Sequence, residues 1–210
     1  MHRTKTYALV CLLSVTGAIL LAQTGGRFDE AKRLAFAYIA SQQYDKAAGK
    51  LEEVWEQDQS DPTVGEGLAL AYLNTEDRRS LPALQKQAFE LIGQLSEKGE
   101  RVSFIVLHSH EKAAWLQGRE WNRFCSGRLS ISRDRMAYLA DRGNDAEKHS
   151  FEVPLAGLKT SVIQMDEVGV GEFHLKTPKG TYVMSVRNRN NEEAEFLVNF
   201  VQRHVGHGKP

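Results

Sequence analysis

The sequence predicts an α+β chain. Its N-terminal half forms α-helical hairpins, and its C-terminal half forms a small, partly open antiparallel barrel of seven strands capped by one C-terminal helix. Three observations carry this. Residues 27–98 lack strand patterning, are rich in Ala, Leu, Glu and Gln, and repeat their apolar residues at helical spacing. From residue 101 the chain reads as short runs of β-branched and aromatic residues, several alternating with polar ones. After Asn188-Arg189-Asn190-Asn191 the period changes once more, to that of a single amphipathic helix.

The first residues stand apart from both halves. MHRTKTY supplies Arg3 and Lys5, ALVCLLSVTGAILLA is a predominantly apolar run without a charge, and the composition changes at Gln23-Thr24-Gly25-Gly26. A basic start, a short apolar middle and a small-residue exit describe a secretory signal peptide, residues 1–22, cleaved after Ala22. The expected protein is exported, periplasmic or secreted. An uncleaved membrane anchor is the alternative, although the apolar run is shorter than the ~20 residues that span a bilayer comfortably. Without residues 1–22 the chain keeps 25 basic and 27 acidic residues. That balance gives no clustered basic face, so no nucleic-acid partner is expected. Residues 23–100 hold 9 basic and 14 acidic residues and residues 101–210 hold 16 and 13, which separates the halves by charge as well. Cys11 leaves with the signal; Cys125 then has no internal disulfide partner, and stability must come from hydrophobic burial.

In the helical half, Phe28, Ala31, Leu34, Ala35 and Tyr38 share one helix face, and Tyr44, Ala47, Ala48, Leu51, Val54 and Trp55 share another. Asp61-Pro62 marks an element boundary, after which Leu68, Ala71 and Tyr72 continue the pattern. Ser80 with Pro82 suits a helix start. Leu84, Ala88, Leu91, Ile92 and Leu95 follow before Gly99.

In the strand-rich half, Val102–His110 contains no Gly or Pro. Leu129 and Ile131 alternate with Arg128, Ser130 and Ser132, and Arg133-Asp134-Arg135 reads as a hairpin turn before Met136–Leu139. Phe151, Val153 and Leu155 point one way, and Leu158–Met165 gives another run. EFHLK and TYVMSVR are joined by Thr177-Pro178-Lys179-Gly180, where Pro pre-sets φ and Gly accepts the exit geometry of a tight turn. Asn190 or Asn191 then caps the last helix, with Glu192, Glu193 and Glu195 in the first turn where the helix dipole favours anions. Ala194, Leu197, Val198 and Val201, widened by Phe196 and Phe200, form its apolar stripe. Residues 206–210 are a tail.

Two resemblances follow from these residues. Ala35 and Tyr38, then Tyr44-Asp45-Lys46-Ala47, Leu51 and Val54, with a restart at Leu68-Ala69 and Tyr72, resemble two degenerate tetratricopeptide repeats. The proline falls about three residues late, Asn74–Pro82 stretches the second unit, and the usual Trp is absent. About three repeats are usually needed for a solenoid to stand alone, so two should lean on the barrel. A free peptide groove and a plain pair of helical hairpins are both open. CSGRLSISRDRMAYL followed by HSFEVPLAGLK resembles the bacterial pleckstrin-homology-like barrel over about half the chain. That resemblance implies a binding or adaptor module rather than an enzyme, one of a group that takes lipid headgroups, peptides or proteins. It also points to the loop between the first two strands, where Lys112, Arg119 and Arg123 interleave with Trp115, Trp121 and Phe124. Cations near phosphates and Trp at an interface suit a membrane surface. The plainer reading packs those Trp residues under the loop or against the helices.

Other chemistry is sparse. His108 and His110 lie on one strand face and, with Cys125, make an incomplete soft-metal set. Histidines that hydrogen-bond a loop are the expected reading, with no metal or cofactor. His149 and His174 look isolated. Asp166-Glu167 reads as a solvated turn, since adjacent residues at a strand end face opposite ways. Gly65-Glu66-Gly67 and Gly169-Val170-Gly171 lack the third glycine and the helix of a nucleotide loop. The sequence thus points to an exported, non-enzymatic adaptor with an unidentified protein partner, and to a lipid-headgroup module as the alternative.

Overall fold

The computed structural model describes residues 28–77, 79–109, 124–141, 149–156, 158–159, 163–166, 170–178 and 180–207. Residues 1–22, His110, Lys112, Trp115, Arg119, Trp121, Arg123 and Glu167 lie outside the described residues. Four helices come first: α1 (28–40), α2 (Tyr44–Trp55), α3 (Pro62–Leu73) and α4 (Leu81–Glu97). Seven strands follow: β1 (Val102–Ser109), β2 (Phe124–Ile131), β3 (Arg135–Ala140), β4 (Phe151–Pro154), β5 (Ile163–Met165), β6 (Glu172–Thr177) and β7 (Gly180–Val186). Helix α5 (Asn191–His207) ends the described chain.

The helix boundaries follow local chemistry. Asp61 caps α3, its Oδ1 accepting from the amides of Thr63 and Val64, with Pro62 in the first turn where its missing N–H costs nothing. Ser80 does not cap α4 with its side chain; its hydroxyl donates to Asp77 Oδ2 at 2.9 Å instead. The end of α4 is a Schellman turn, in which the amides of Gly99 and Glu100 reach the carbonyls of Ser96 and Leu95. Gly99 takes φ +76° there. In α1 the buried face is centred on Ala35 and Ile39, and Leu34, one position off that face, is 38 % exposed.

Helix α3 is the centre of the helical half. Val64 to Leu73 are all buried, so its apolar residues show no single stripe. Two glycines admit its neighbours: a Cβ on Gly65 would sit 3.1 Å from the Trp55 ring, and one on Gly67 would sit 3.0 Å from Phe36.

All strand pairings are antiparallel, in the order β4-β3-β2-β1-β7-β6-β5. The two edge strands, β4 and β5, leave the barrel partly open. Thr177 pairs directly with Gly180, so the loop between β6 and β7 is two residues long, and Gly180 has φ +146°. Alternation is clean on β3, where Met136, Tyr138 and Ala140 are buried, and absent on β1, where Val102 to Val106 are all buried. The reason is that β1 has no wet face. Phe104 points toward Phe196 and Phe200 of α5. Ser103 points the other way, its hydroxyl donating to Glu66 of α3.

Asn190 caps α5, its Oδ1 accepting from the amides of Glu192 and Glu193. Ala194, Leu197, Val198, Phe200 and Val201 are buried, and the helix packs on β5, β6 and β7. The order of strands and the closing helix are what the pleckstrin-homology resemblance implies. The helices do lean on the barrel: the buried residues of both halves form one continuous cluster.

Candidate functional site

Two regions of the molecule could meet a ligand. One is the end of the barrel where β1 and β2 lead into residues 110–123. The other is a cleft at the junction of helices and barrel.

At the first, β1 and β2 place His108 directly opposite Cys125. The His108 Nδ1 lies 3.5 Å from the Cys125 sulfur, and the Tyr138 hydroxyl lies 3.4 Å from the same sulfur while donating to the Cys125 carbonyl. Around them His108 meets His149 at 5.1 Å and Tyr182 at 5.2 Å between ring centroids, and Tyr182 meets Phe151 at 4.7 Å. Histidine 149 is therefore not isolated. Burial pushes the Cys125 thiol up, so at neutral pH it is a thiol rather than the thiolate a metal binds. Among the described residues no group of three or more His, Cys, Asp and Glu could hold a metal ion. His108 and the rings of Tyr138, Phe151 and Tyr182 are buried, and together they fill this end of the barrel with packed rings. His174 is not isolated either: its Nε2 lies 2.9 Å from Asp166 Oδ2, which gives Asp166 a partner across a strand end. Gly171, with φ +67°, is a packing glycine. A Cβ there would sit 2.7 Å from the backbone of Arg189, and its amide donates to Asn191.

The second region was not visible in the sequence, because its walls come from three distant segments. Its floor is aromatic. Phe89 of α4 stacks on Phe196 of α5 with centroids 3.9 Å apart and planes 7° from parallel; Phe196 and Phe200 stand 6.1 Å apart. One wall is the C-terminal half of α4, with Gly93, Ser96, Glu97, Lys98, Gly99 and Glu100. The cleft is also lined by Ile131, Ser132 and Arg133 at the β2–β3 turn and by Arg203 and His204 of α5. The cleft is about 880 Å³, and a shallower depression continues past Phe196 over Asn199, Gln202 and Arg203. That size falls within the range of small-ligand pockets.

A hydrogen-bond chain joins two of the lining residues. His204 Nδ1 faces the Phe200 carbonyl at 2.8 Å, an acceptor only, so Nδ1 carries the proton. Its Nε2 lies 2.8 Å from Ser96 Oγ. This pins α5 to α4. Beside the cleft, Arg101 clasps Glu66 through Nε at 3.1 Å and Nη2 at 2.9 Å. Farther along, the Asn188 amide donates to the Leu73 carbonyl, the Asn190 amide to Gln85, and the Arg187 guanidinium to the Tyr44 hydroxyl. These bonds tie the helices to the barrel side of the junction, and the α4 and α5 walls of the cleft are joined directly through Ser96 and His204.

The strand order β4-β3-β2-β1-β7-β6-β5 with a helix after β7 settles the architecture. The barrel has a pleckstrin-homology-like fold. No protein-family model matches this chain, and no curated protein matches it. Among solved structures, the human pleckstrin-homology domain of oxysterol-binding protein-related protein 11 is similar at 14 % identity. That match covers 52 % of this chain and 83 % of that one, with a TM-score of 0.36. The human N-terminal pleckstrin-homology domain of ARAP2 is similar at 17 % identity, over 51 % and 80 % of the two chains, with a TM-score of 0.33. A fragment of p115-RhoGEF holding its linker, DH and PH domains covers 79 % of this chain at 10 % identity and a TM-score of 0.39. This chain spans 57 % of that fragment. The fold assignment rests on strand order and the closing helix, and not on these likenesses.

Proposed function

We propose that this chain is an exported, non-enzymatic adaptor that presents the helix–barrel junction to a protein partner. The observation supporting this is the cleft itself: an aromatic floor, walls from both halves, and cations and carboxylates around the rim. Aromatic and arginine side chains at a partly exposed site are the residue types that anchor protein interfaces. The tetratricopeptide-like helices contribute one wall of the junction in this reading and spend their inner face on the barrel rather than on a groove of their own. The test is a photo-crosslinking residue placed at Arg203, compared with one at Trp121, in the native envelope. A protein adduct at position 203 is expected.

The alternative is a lipid-headgroup module acting through Lys112, Trp115, Arg119, Trp121 and Arg123. Those residues follow Ser109 in the chain, and Ser109 lies ~25 Å at strand rise from Val102 at the other end of β1. Liposome co-sedimentation that Trp121→Ala and Arg119→Ala abolish, with no adduct at position 203, would replace the adaptor reading by the lipid one.

A further inference from the structure

Four buried side-chain atoms of the described residues have no hydrogen-bond partner: Asn74 Oδ1, Gln85 Nε2, Ser185 Oγ and Glu193 Oε1. All four flank one short segment, the turn 187–190 that leads from β7 into α5. Ser185 comes two residues before it, and Glu193 follows it in the first turn of the helix. Asn74 follows Leu73, whose carbonyl accepts from the Asn188 amide, and Gln85 accepts from the Asn190 amide at 3.2 Å. Buried polar groups are normally paired, and an orphaned one costs free energy. The unpaired atoms therefore collect where this turn meets the helical half, which makes that contact the least satisfied part of the junction.

Of the four residues only Glu193 ionises. It is 2 % exposed, and Asn190 holds its amide, not its carboxyl. No cation offsets it. Lys86 and Glu90 of α4 are exposed, as are Glu192 and Glu195 of α5. The turn brings Arg187, which is bonded to Tyr44, and Arg189; β6 brings Glu172 and His174, the latter bonded to Asp166. From β1 and β7 come only His108 and Tyr182, which belong to the ring cluster near Cys125, and β5 has no charged residue. Burial alone acts on the Glu193 carboxyl, with no contribution from any of these groups.

The contacts along the seam run in order: Gln85 with Asn190, Phe89 with Phe196, Ser96 with His204. Helices α4 and α5 thus lie side by side in the same direction, with Glu193 near the N-terminal end. An ionised carboxylate there gains by reaching water, where the helix dipole also favours it. It reaches water by drawing the first turn of α5 away from Gln85. The next pair along is the Phe89–Phe196 stack, the floor of the cleft.

We propose that this end of the seam is a pH-operated clasp. Protonated Glu193 keeps the first turns of α5 against α4, and its ionisation favours a local opening that frees Asn190 from Gln85 and loosens the Phe89–Phe196 stack. The device goes beyond the adaptor reading and does not depend on it.

The test is NMR of the full chain between pH 5 and 9.5. The carbon-13 signal of the Glu193 carboxyl should titrate with a midpoint near 8. Amides from Glu193 to Leu197 should lose protection against hydrogen exchange, corrected for intrinsic rate, by up to about tenfold per pH unit from pH 5 to 8, and level off above. Because the opening is local, they should be at least about tenfold less protected than the central β1 amide of Val106 throughout. Glu193→Gln, which keeps the shape and removes the charge, should hold their protection constant across the range. A carboxyl midpoint near 4.5, a pH-dependent loss that persists in Glu193→Gln, or α5 amides exchanging together with Val106 at every pH would each overturn the clasp. The carboxyl and exchange measurements on the parent chain decide the matter even where the variant fails to fold.

Discussion

Gly127 shows how one residue fixes a piece of the barrel. It opens the Gly-x-Leu-x-Ile run on β2, and a Cβ there would come within 2.5 Å of the Tyr138 ring and 2.6 Å of the Leu139 carbonyl. The glycine therefore makes room for the largest ring in this end of the core, whose hydroxyl then reaches the Cys125 carbonyl. Gly127→Ala should lower stability by about 1–3 kcal/mol, read from a denaturation midpoint at unchanged m-value, because neither a backbone oxygen nor a buried ring can yield cheaply. Glu193 is the opposite case. The sequence places it in the first turn of α5 as a dipole-favoured carboxylate, yet it is 2 % exposed, and its Oε1 has no hydrogen-bond partner. Burial raises its pKa from 4.5 to about 8. The folded chain keeps this proton where the unfolded chain has released it. Its contribution is fully present below pH 4.5, declines as pH rises toward 8, and stays flat above that. Glu193→Gln should flatten that decline and leave the protein more stable at pH 8 than the parent. An unchanged pH profile in the variant would show that the carboxyl is solvated after all.

Helix α5 ties the parts together. Its apolar stripe and its asparagine cap were legible from spacing alone, since both are local. What it packs against was not. Phe196 reads as one flank of the stripe, but it stacks on Phe89, over a hundred positions away in the chain. Phe89→Ala and Phe196→Ala should each destabilise by about 2–4 kcal/mol, somewhat below full-burial values because both rings are only partly buried. A double-mutant cycle should return about 0.5–1.5 kcal/mol of coupling between them. Zero coupling would mean that the stack contributes nothing beyond each ring's own burial. Strand β1 teaches the same point from the other side. Its run without alternation was readable as a strand but not as one buried on both faces, because that depends on α3. Glu66 of α3, which the sequence offers only as part of a Gly-x-Gly triplet, accepts from Ser103 and Arg101 across that contact. Glu66→Ala should cost about 1–3 kcal/mol, less than a fully buried ion pair would, because Arg101 is exposed.

At the scale of the molecule, order of elements and the switch from helical to strand periodicity were legible, and so was the need for the helices to lean on the barrel. The cleft was not, because no sequence period relates Gly93, Arg133 and Arg203. The sequence drew attention instead to the Trp-bearing loop at the far end of β1, where charge and aromatic content are contiguous and easy to read. Helical half and barrel share one apolar cluster, and the polar contacts of Glu66, Ser96 and Asn188 cross between them. They should therefore melt as one cooperative unit, unlike two domains joined by a linker. Scanning calorimetry of the full chain tests this most directly. One transition, with calorimetric and van't Hoff enthalpies equal, is the expected result. Two resolved transitions would mean that the halves fold separately, and a junction cleft shared by both would then not exist.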